Sequence, residues 1–311
     1  MTPLATASRG AGEHGESGPV GVDHYENFPV ASWLCPPELR PPIVAIYRFA
    51  RTADDIADEG VATPEQRLAD LAVFRADLMA VAAGRTPSPR WPEVFGPLAV
   101  ELARHRLPVT LLADLLDAFA QDAAQKRYAD RAELLDYCRR SANPIGRLLL
   151  HLYGVDDAAA LARSDAICSA LQLANFWQDL GADAARGRLY VPRADASRHG
   201  VGFEELLSRR DSDRVRALVA DLVAWARTLM LSGAPLVDAI GGRAGWELRF
   251  VVQGGLRVLE KIDRLGGGTL IARPTIGAAD APLLAWRALT MRRGAKARGE
   301  RRPASPHADR R

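Results

Sequence analysis

The chain has 311 residues, 48% of them hydrophobic and 25% charged, enough apolar material for one large core, or two at most. Its three cysteines, Cys35, Cys138 and Cys168, stand far apart with no Cys-x-x-Cys pair, which excludes a disulfide framework or cysteine-based zinc site and fits a reducing cytoplasm. The net charge of +3 divides into +6 on residues 292–311 and −3 on the rest, so the body is mildly acidic and no nucleic-acid partner is expected.

The first 21 residues are rich in Gly, Ser and Glu and read as a flexible leader without a signal peptide. Aromatics are scarce and Ala and Leu abundant, which favours helices. Thr63-Pro64-Glu65-Gln66 reads as a capping box opening a helix. Leu68, Leu71, Phe74, Leu78 and Val81 follow at helical spacing, and Gly84 closes the helix. Leu111, Leu112, Leu115, Leu116 and Phe119 form a second stripe. Asn143-Pro144 begins a further helix that Gly154 ends. The stretches 159–183, 204–230 and 248–265 also read as helices. No period-2 strand appears, and no apolar run approaches the roughly 20 residues that span a bilayer. One all-α domain over 22–290 follows, with 291–311 as a basic disordered tail.

Two acidic clusters carry the chemistry. In the first, Arg51-Thr52-Ala53-Asp54-Asp55-Ile56-Ala57-Asp58-Glu59, Asp54 and Asp58 share one helix face a turn apart. Like charges there repel by a few tenths of a kcal/mol, and a cation offsets that. Hard carboxylate oxygens suit Mg²⁺, which takes one or two carboxylates and completes its shell with phosphate oxygens and water. Arg51 stands within reach of the same phosphate. The bland alternative is a solvated acidic helix end. In the second cluster, Asn175, Asp179 and Asp183 recur every four residues. Phe176, Trp177 and Leu180 between them demand burial, and buried carboxylates are costly unless paired or metal-bound. Arg186 and Arg188 follow, suited to gripping diphosphate. The bland alternative here is a surface stripe. Facing helices carrying two such faces can hold several Mg²⁺ and stabilise a departing diphosphate.

At these residues the sequence resembles the squalene/phytoene synthase family, over about His24 to Leu289. The resemblance implies an all-α isoprenoid-synthase helical bundle around a central cavity. It implies that Asp54, Asp58, Asn175, Asp179 and Asp183 hold Mg²⁺-diphosphate. Tyr47, Arg51 and Arg188 match positions lining the diphosphate end. Gln172 matches a polar residue one turn before the second motif. Tyr137, in Tyr137-Cys138-Arg139-Arg140-Ser141-Ala142-Asn143-Pro144-Ile145-Gly146, matches a tyrosine near the reacting carbons; a packed core tyrosine is the alternative. Asp122 through Arg127-Tyr128 resembles a recurring segment of less defined role. Within the family, His24–Ser32, Ser141–Arg147, Asn175-Phe176-Trp177-Gln178-Asp179 and Trp246-Glu247-Leu248-Arg249 through Gln253-Gly254-Gly255-Leu256-Arg257 most resemble the bacterial hydroxysqualene synthase branch of hopanoid biosynthesis.

Two departures bear on the reaction. Gln178 stands where squalene and phytoene synthases commonly carry arginine, and His24-Tyr25-Glu26-Asn27-Phe28 stands where they tend to start with Ser-Phe. One cation fewer fits a substrate with a single diphosphate. The expected activity is Mg²⁺-dependent conversion of presqualene diphosphate to hydroxysqualene by ionisation, rearrangement and water capture. No dinucleotide fingerprint occurs, and no nicotinamide cofactor is expected. The rivals are a head-to-head condensing enzyme of the same family, making presqualene diphosphate, squalene or phytoene, and a non-catalytic helical binding protein. The expected partner is a long-chain isoprenoid diphosphate. The expected location is the cytoplasm, with peripheral contact at the inner membrane face through the basic tail as a further reading beside plain solvation.

Overall fold

A computed structural model describes residues 35–124 and 127–291. The readings made on the leader, on His24–Ser32 and on the tail beyond Met291 lie outside the described residues. Among those residues there are fourteen α-helices, two short 3₁₀ turns and no strand. In chain order the helices are α1 (Arg40–Asp58), α2 (Pro64–Ala82), α3 (Pro92–His105), α4 (Val109–Ala123), α5 (Arg131–Ser141), α6 (Asn143–Leu152), α7 (Ala158–Gln178), α8 (Leu180–Ala185), α9 (Arg193–Arg198), α10 (Phe203–Leu207), α11 (Asp213–Gly233), α12 (Leu236–Ala239), α13 (Gly242–Arg264) and α14 (Ala281–Thr290).

Local signals explain many of the ends. The capping box forms: Gln66 N–H donates to Thr63 Oγ1 at 3.3 Å, and Thr63 N–H donates to Gln66 Oε1 at 2.9 Å. Asp157 caps α7 by accepting from Ala160 N–H at 2.8 Å. Gly84 adopts the left-handed conformation just past α2 (φ +67°). The periodicity misses α3, which carries Pro97 inside it, and α5, which buries only Leu134, Tyr137 and Cys138.

Two expected helices are split. The stretch 159–183 breaks at Asp179 into α7 and α8. There Gly181 gives its N–H to the Thr269 carbonyl at 3.2 Å instead of continuing the helix. A side chain on Gly181 would place its Cβ 2.4 Å from the Leu270 carbonyl oxygen, so glycine is what lets the 269–274 segment lie against this turn. The stretch 204–230 breaks because Arg209 takes a left-handed backbone (φ +53°) and Ser212 caps a fresh helix at Asp213.

Packing builds two neighbouring layers. Under α1, the rings of Phe49, Phe74 and Phe95 meet with centroids 4.7–6.2 Å apart and no exposed surface. On the other side α7 packs against α5, α6, α11 and α13, burying Trp177, Leu173 and Ala170. Residues Asp213–Ala239 are long and apolar enough to cross a membrane by length and composition, a stretch the run-length reading passed over. Leu218, Leu222, Val223, Ala226 and Met230 within it are fully buried, the pattern of a core helix.

Candidate active site

An apolar cavity of about 490 Å³ lies between α1, α4, α6, α7, α12 and α13. From α1 it is lined by Ile43, Ile46, Tyr47, Ala50, Arg51 and Asp54, one face of the helix. Ile43 and Asp54 are eleven residues apart, so the cavity follows α1 for roughly 16 Å at 1.5 Å per residue. Leu149 and Leu150 come from α6, Ile167, Cys168 and Leu171 from α7, Leu248 and Val251 from α13. Gly146, in the Asn143-Pro144-Ile145-Gly146 motif, brings α6 close: a Cβ there would sit 2.4 Å from Ser164 Oγ and 2.5 Å from Cys168 Sγ.

The polar end of this cavity is the first acidic cluster. Arg51 pairs with Asp54 at 3.4 Å, Asp55 at 2.7 Å and Glu59 at 2.8 Å. Asp58 points instead to the turn after α8, where Arg188 pairs with it and Arg186 stands at 3.6 Å. The Arg188 N–H in turn donates to the Asp183 carbonyl at 2.8 Å. The two motifs, 117 to 129 residues apart, therefore meet through Arg188. Asp179 N–H still donates to Asn175 C=O at 2.8 Å, and Asp183 N–H to Asp179 C=O at 2.9 Å, so the four-residue spacing survives the break in the helix. Asn175 is exposed on α7, and Gln172 is half-buried a turn before it.

The electrostatics follow from this crowding. Asp54 keeps 46% of its side chain open, yet loss of solvation in the recess raises its pKa to about 6, with Arg51 opposing and Asp58 and Asp55 adding to the rise. Asp183 is raised to about 7 by burial and by Asp179, against the pull of Arg188 and Arg186. Asp58 goes the other way: burial raises it, but the hydrogen bond and charge of Arg188, helped by Arg186, hold it below the ordinary carboxylate range.

Two residues, Asp122 and Arg273, join the site without a role having been assigned to them. Asp122, at the end of α4, accepts from Tyr137 Oη at 2.5 Å and Tyr190 Oη at 3.3 Å. Burial raises its pKa to about 7, the two tyrosines and Arg188 lower it, and Asp54 raises it further. Tyr137 does not line the cavity; it is 3% exposed in an aromatic nest with Tyr128, Phe176 and Tyr190, the last two stacked at 3.8 Å. It reaches the acidic cluster through Asp122. Arg273, in the segment after α13, pairs with both oxygens of Asp179. Gln178 is fully buried, and its amide donates to the Pro274 carbonyl at 2.5 Å, so it fastens the same segment. Spacing gives no hint of Arg273, which lies 94 residues from its partner.

Among the described residues no three carboxylate, histidine or cysteine side chains converge into a cage for one ion. The donors are hard oxygens flanked by arginines, and two of the carboxylates are raised chiefly by burial, with neighbouring carboxylates adding to the rise. That donor set fits Mg²⁺, which relies on phosphate and water for the rest of its shell.

A sequence profile of the squalene/phytoene synthase family matches residues 22–280. A hydroxysqualene synthase of Sinorhizobium fredii is 37% identical over 238 residues, 76% of this chain and 78% of its own length. A phytoene synthase of Cereibacter sphaeroides is 35% identical over 213 residues, 66% of this chain and 59% of its own. The crystal structure of squalene synthase HpnC from Alicyclobacillus acidocaldarius superposes with a TM-score of 0.71 at 37% identity, covering 78% of this chain and 90% of that one. A dehydrosqualene synthase solved with a ligand superposes at 0.70 with 22% identity and shows the shared isoprenoid-synthase fold. The chain, with its helical bundle and paired acidic motifs, belongs to the squalene/phytoene synthase family of enzymes.

Proposed function

We propose that the enzyme converts presqualene diphosphate to hydroxysqualene. The observation that carries this reading is that the two acidic motifs meet through Arg188, next to Arg51 and Asp54, which line the polar end of a long apolar cavity. The likeness to hydroxysqualene synthases supports the choice of product. Asp54, Asp58, Asn175, Asp179 and Asp183 would hold Mg²⁺, which when bound supplies positive charge to the diphosphate as it leaves. Arg51, Arg186 and Arg188 grip phosphate oxygens and stabilise the same charge.

The C–O bond of the diphosphate ester breaks, and its electron pair leaves with diphosphate. The cyclopropylcarbinyl cation that remains sits among Ile43, Ile46, Leu149 and Leu171, which offer no nucleophile and keep bulk water out while the ring rearranges. One water then adds to the rearranged cation, and its proton passes to the released diphosphate. Tyr137, held by Asp122, packs with Phe176 and Tyr190 in the aromatic nest outside the cavity lining.

The test is turnover of presqualene diphosphate with Mg²⁺, with and without NADPH. Asp54→Ala and Asp179→Ala are each expected to lose on the order of 10²- to 10³-fold in kcat. Hydroxysqualene is expected as product whether or not NADPH is present. Near-normal turnover in both variants would sink the carboxylate assignment. A second reading, condensation of two prenyl diphosphates, is favoured by the phytoene synthase relatives. Efficient turnover of farnesyl or geranylgeranyl diphosphate alone would establish it instead.

A further inference from the structure

Arg186 and Arg188 stand on the loop 186–192, between α8 and α9. What the two arginines do at the acidic faces depends on where that loop is held. Its first turn is closed locally. Arg186 N–H and Arg188 N–H both donate to the Asp183 carbonyl, at 3.0 and 2.8 Å, and Gly187 N–H donates to the Ala184 carbonyl at 3.0 Å. Gly187 takes a left-handed backbone (φ +77°), so the chain turns sharply between the two arginines. These bonds tie the turn to the end of α8 but fix it to no other element. Packing adds little, because Arg186 is 67% exposed.

The outside hold comes from three successive residues just before α5. The Arg127 guanidinium donates to the Gly187 carbonyl at 2.7 Å, across 60 residues of chain. The Tyr128 carbonyl accepts from Arg193 N–H at 3.0 Å, and the Ala129 carbonyl accepts from Ala194 N–H at 2.9 Å. One side chain thus grips the loop at its start, and two backbone bonds grip the chain where the loop ends. The brace is itself anchored. Tyr128 is 1% exposed, stacked with Tyr190 at 6.0 Å and edge-on to Tyr137 at 5.6 Å. Its hydroxyl accepts from the Gln121 amide at 3.0 Å, and Gln121 Oε1 accepts from Arg140 at 2.8 Å. Arg127 does not line the cavity; it meets the site at the carbonyl between Arg186 and Arg188.

We propose that Arg127 is a positioning residue for the diphosphate grip: through the Gly187 carbonyl it sets Arg186 and Arg188 against Asp58 and the phosphate oxygens. A guanidinium grips phosphate by direction as well as charge, so a turn that drifts loses the grip even with both arginines present. The backbone bonds at Tyr128 and Ala129 do not depend on the Arg127 side chain, so its part can be removed while the rest of the brace stays. This role rests on the diphosphate reading of the site, and the two fail in different ways.

The experiment is calorimetric titration of the full chain with inorganic diphosphate in the presence of Mg²⁺. The parent is expected to bind. Arg127→Met, which keeps the apolar stem and removes the donor, should weaken binding about tenfold. Its Tm should stay within about 4 °C of the parent's, since one hydrogen bond at a half-buried carbonyl is lost. Arg188→Ala should weaken binding at least as much. Adding Arg127→Met to Arg188→Ala should cost no more than about threefold further, because the brace then positions Arg186 alone. A parent that binds no diphosphate sinks the diphosphate reading and the Arg127 role with it. A parent that binds, beside an Arg127→Met variant that binds equally well, sinks the Arg127 role alone. So does a full tenfold loss in the Arg188→Ala background, which makes Arg127 act by its own charge. A fall in Tm of more than about 10 °C in Arg127→Met also overturns the proposal, because it makes the residue a tie of the fold.

Discussion

The two acidic faces are built in opposite ways. The first is mostly local: Arg51, Asp54, Asp55, Asp58 and Glu59 all ride on or just beyond α1 and a single unbroken helix sets their spacing, while Asp58 takes its cation from Arg188, 130 residues away. The second is assembled from distant pieces. Asp179 stands in a helix break that exists because Thr269 takes the Gly181 N–H, its charge is met by Arg273, and Gln178 anchors the same segment at Pro274. A local face tolerates change elsewhere in the chain, whereas an assembled one inherits every weakness of the strap that holds it.

Gly181→Ala breaks this comparison hardest. The new Cβ would lie 2.4 Å from the Leu270 carbonyl oxygen and 2.8 Å from its carbon, backbone against which no flexible tip can yield. Displacing the strap costs about 1–3 kcal/mol. Misplacing Asp179 by even an ångström costs on the order of 10²-fold in rate. Thermal unfolding and kcat should fall together. A variant with parental Tm and rate shows the second face to be as independent as the first.

Arg188→Ala comes next, because it removes the contact that joins the two faces. Asp58 keeps the more distant Arg186 and the weaker pull of Arg67, and the diphosphate loses one grip, for a loss of about 10²-fold in kcat with little change in Tm. Arg273→Ala acts on the second face alone, and a smaller loss, about tenfold, is expected. The reverse order would place the junction at Arg273.

Gln178→Leu tests the strap without touching a carboxylate. It strips the half-buried Pro274 carbonyl of its donor, a cost of about 1 kcal/mol read as a lower Tm. An unchanged Tm would show that the strap is held by Gly181 and Arg273 alone.

What the sequence discloses follows the same division. The first face is legible because Asp54 and Asp58 need only a helix to share a side. For the second, the residue types at Asn175, Asp179 and Asp183 are legible but the geometry is not: the run to Asp183 reads as one helix, and the segment that breaks it begins 86 residues later at Thr269. Asp122 escapes a role for the same reason, since the tyrosines that define it are 15 and 68 residues away. The cavity is the extreme case, as it belongs to no element and arises where six helices fail to close.

The smallest expected effect is on pH, and it sharpens the comparison because each face contributes one raised carboxylate. Asp54 is raised to about 6 and Asp183 to about 7, burial being the first cause of each, and Asp122 between them is raised to about 7 likewise. In the unfolded chain all three return to the ordinary value of 3.8. The metal-free folded state therefore binds more protons between about pH 4 and about pH 7, and its stability falls as pH rises through that window. A cation displaces those protons, so the rise in Tm on adding Mg²⁺ should grow from about pH 6 to about pH 8, with the rate at limiting Mg²⁺ rising several-fold. Asp183→Asn should flatten the upper part of this profile and Asp54→Asn the lower, because the group on the assembled face titrates later. A metal-free Tm that climbs from about pH 5 to about pH 7 contradicts the sign of both shifts and with it the picture of two undercharged faces waiting for a shared cation.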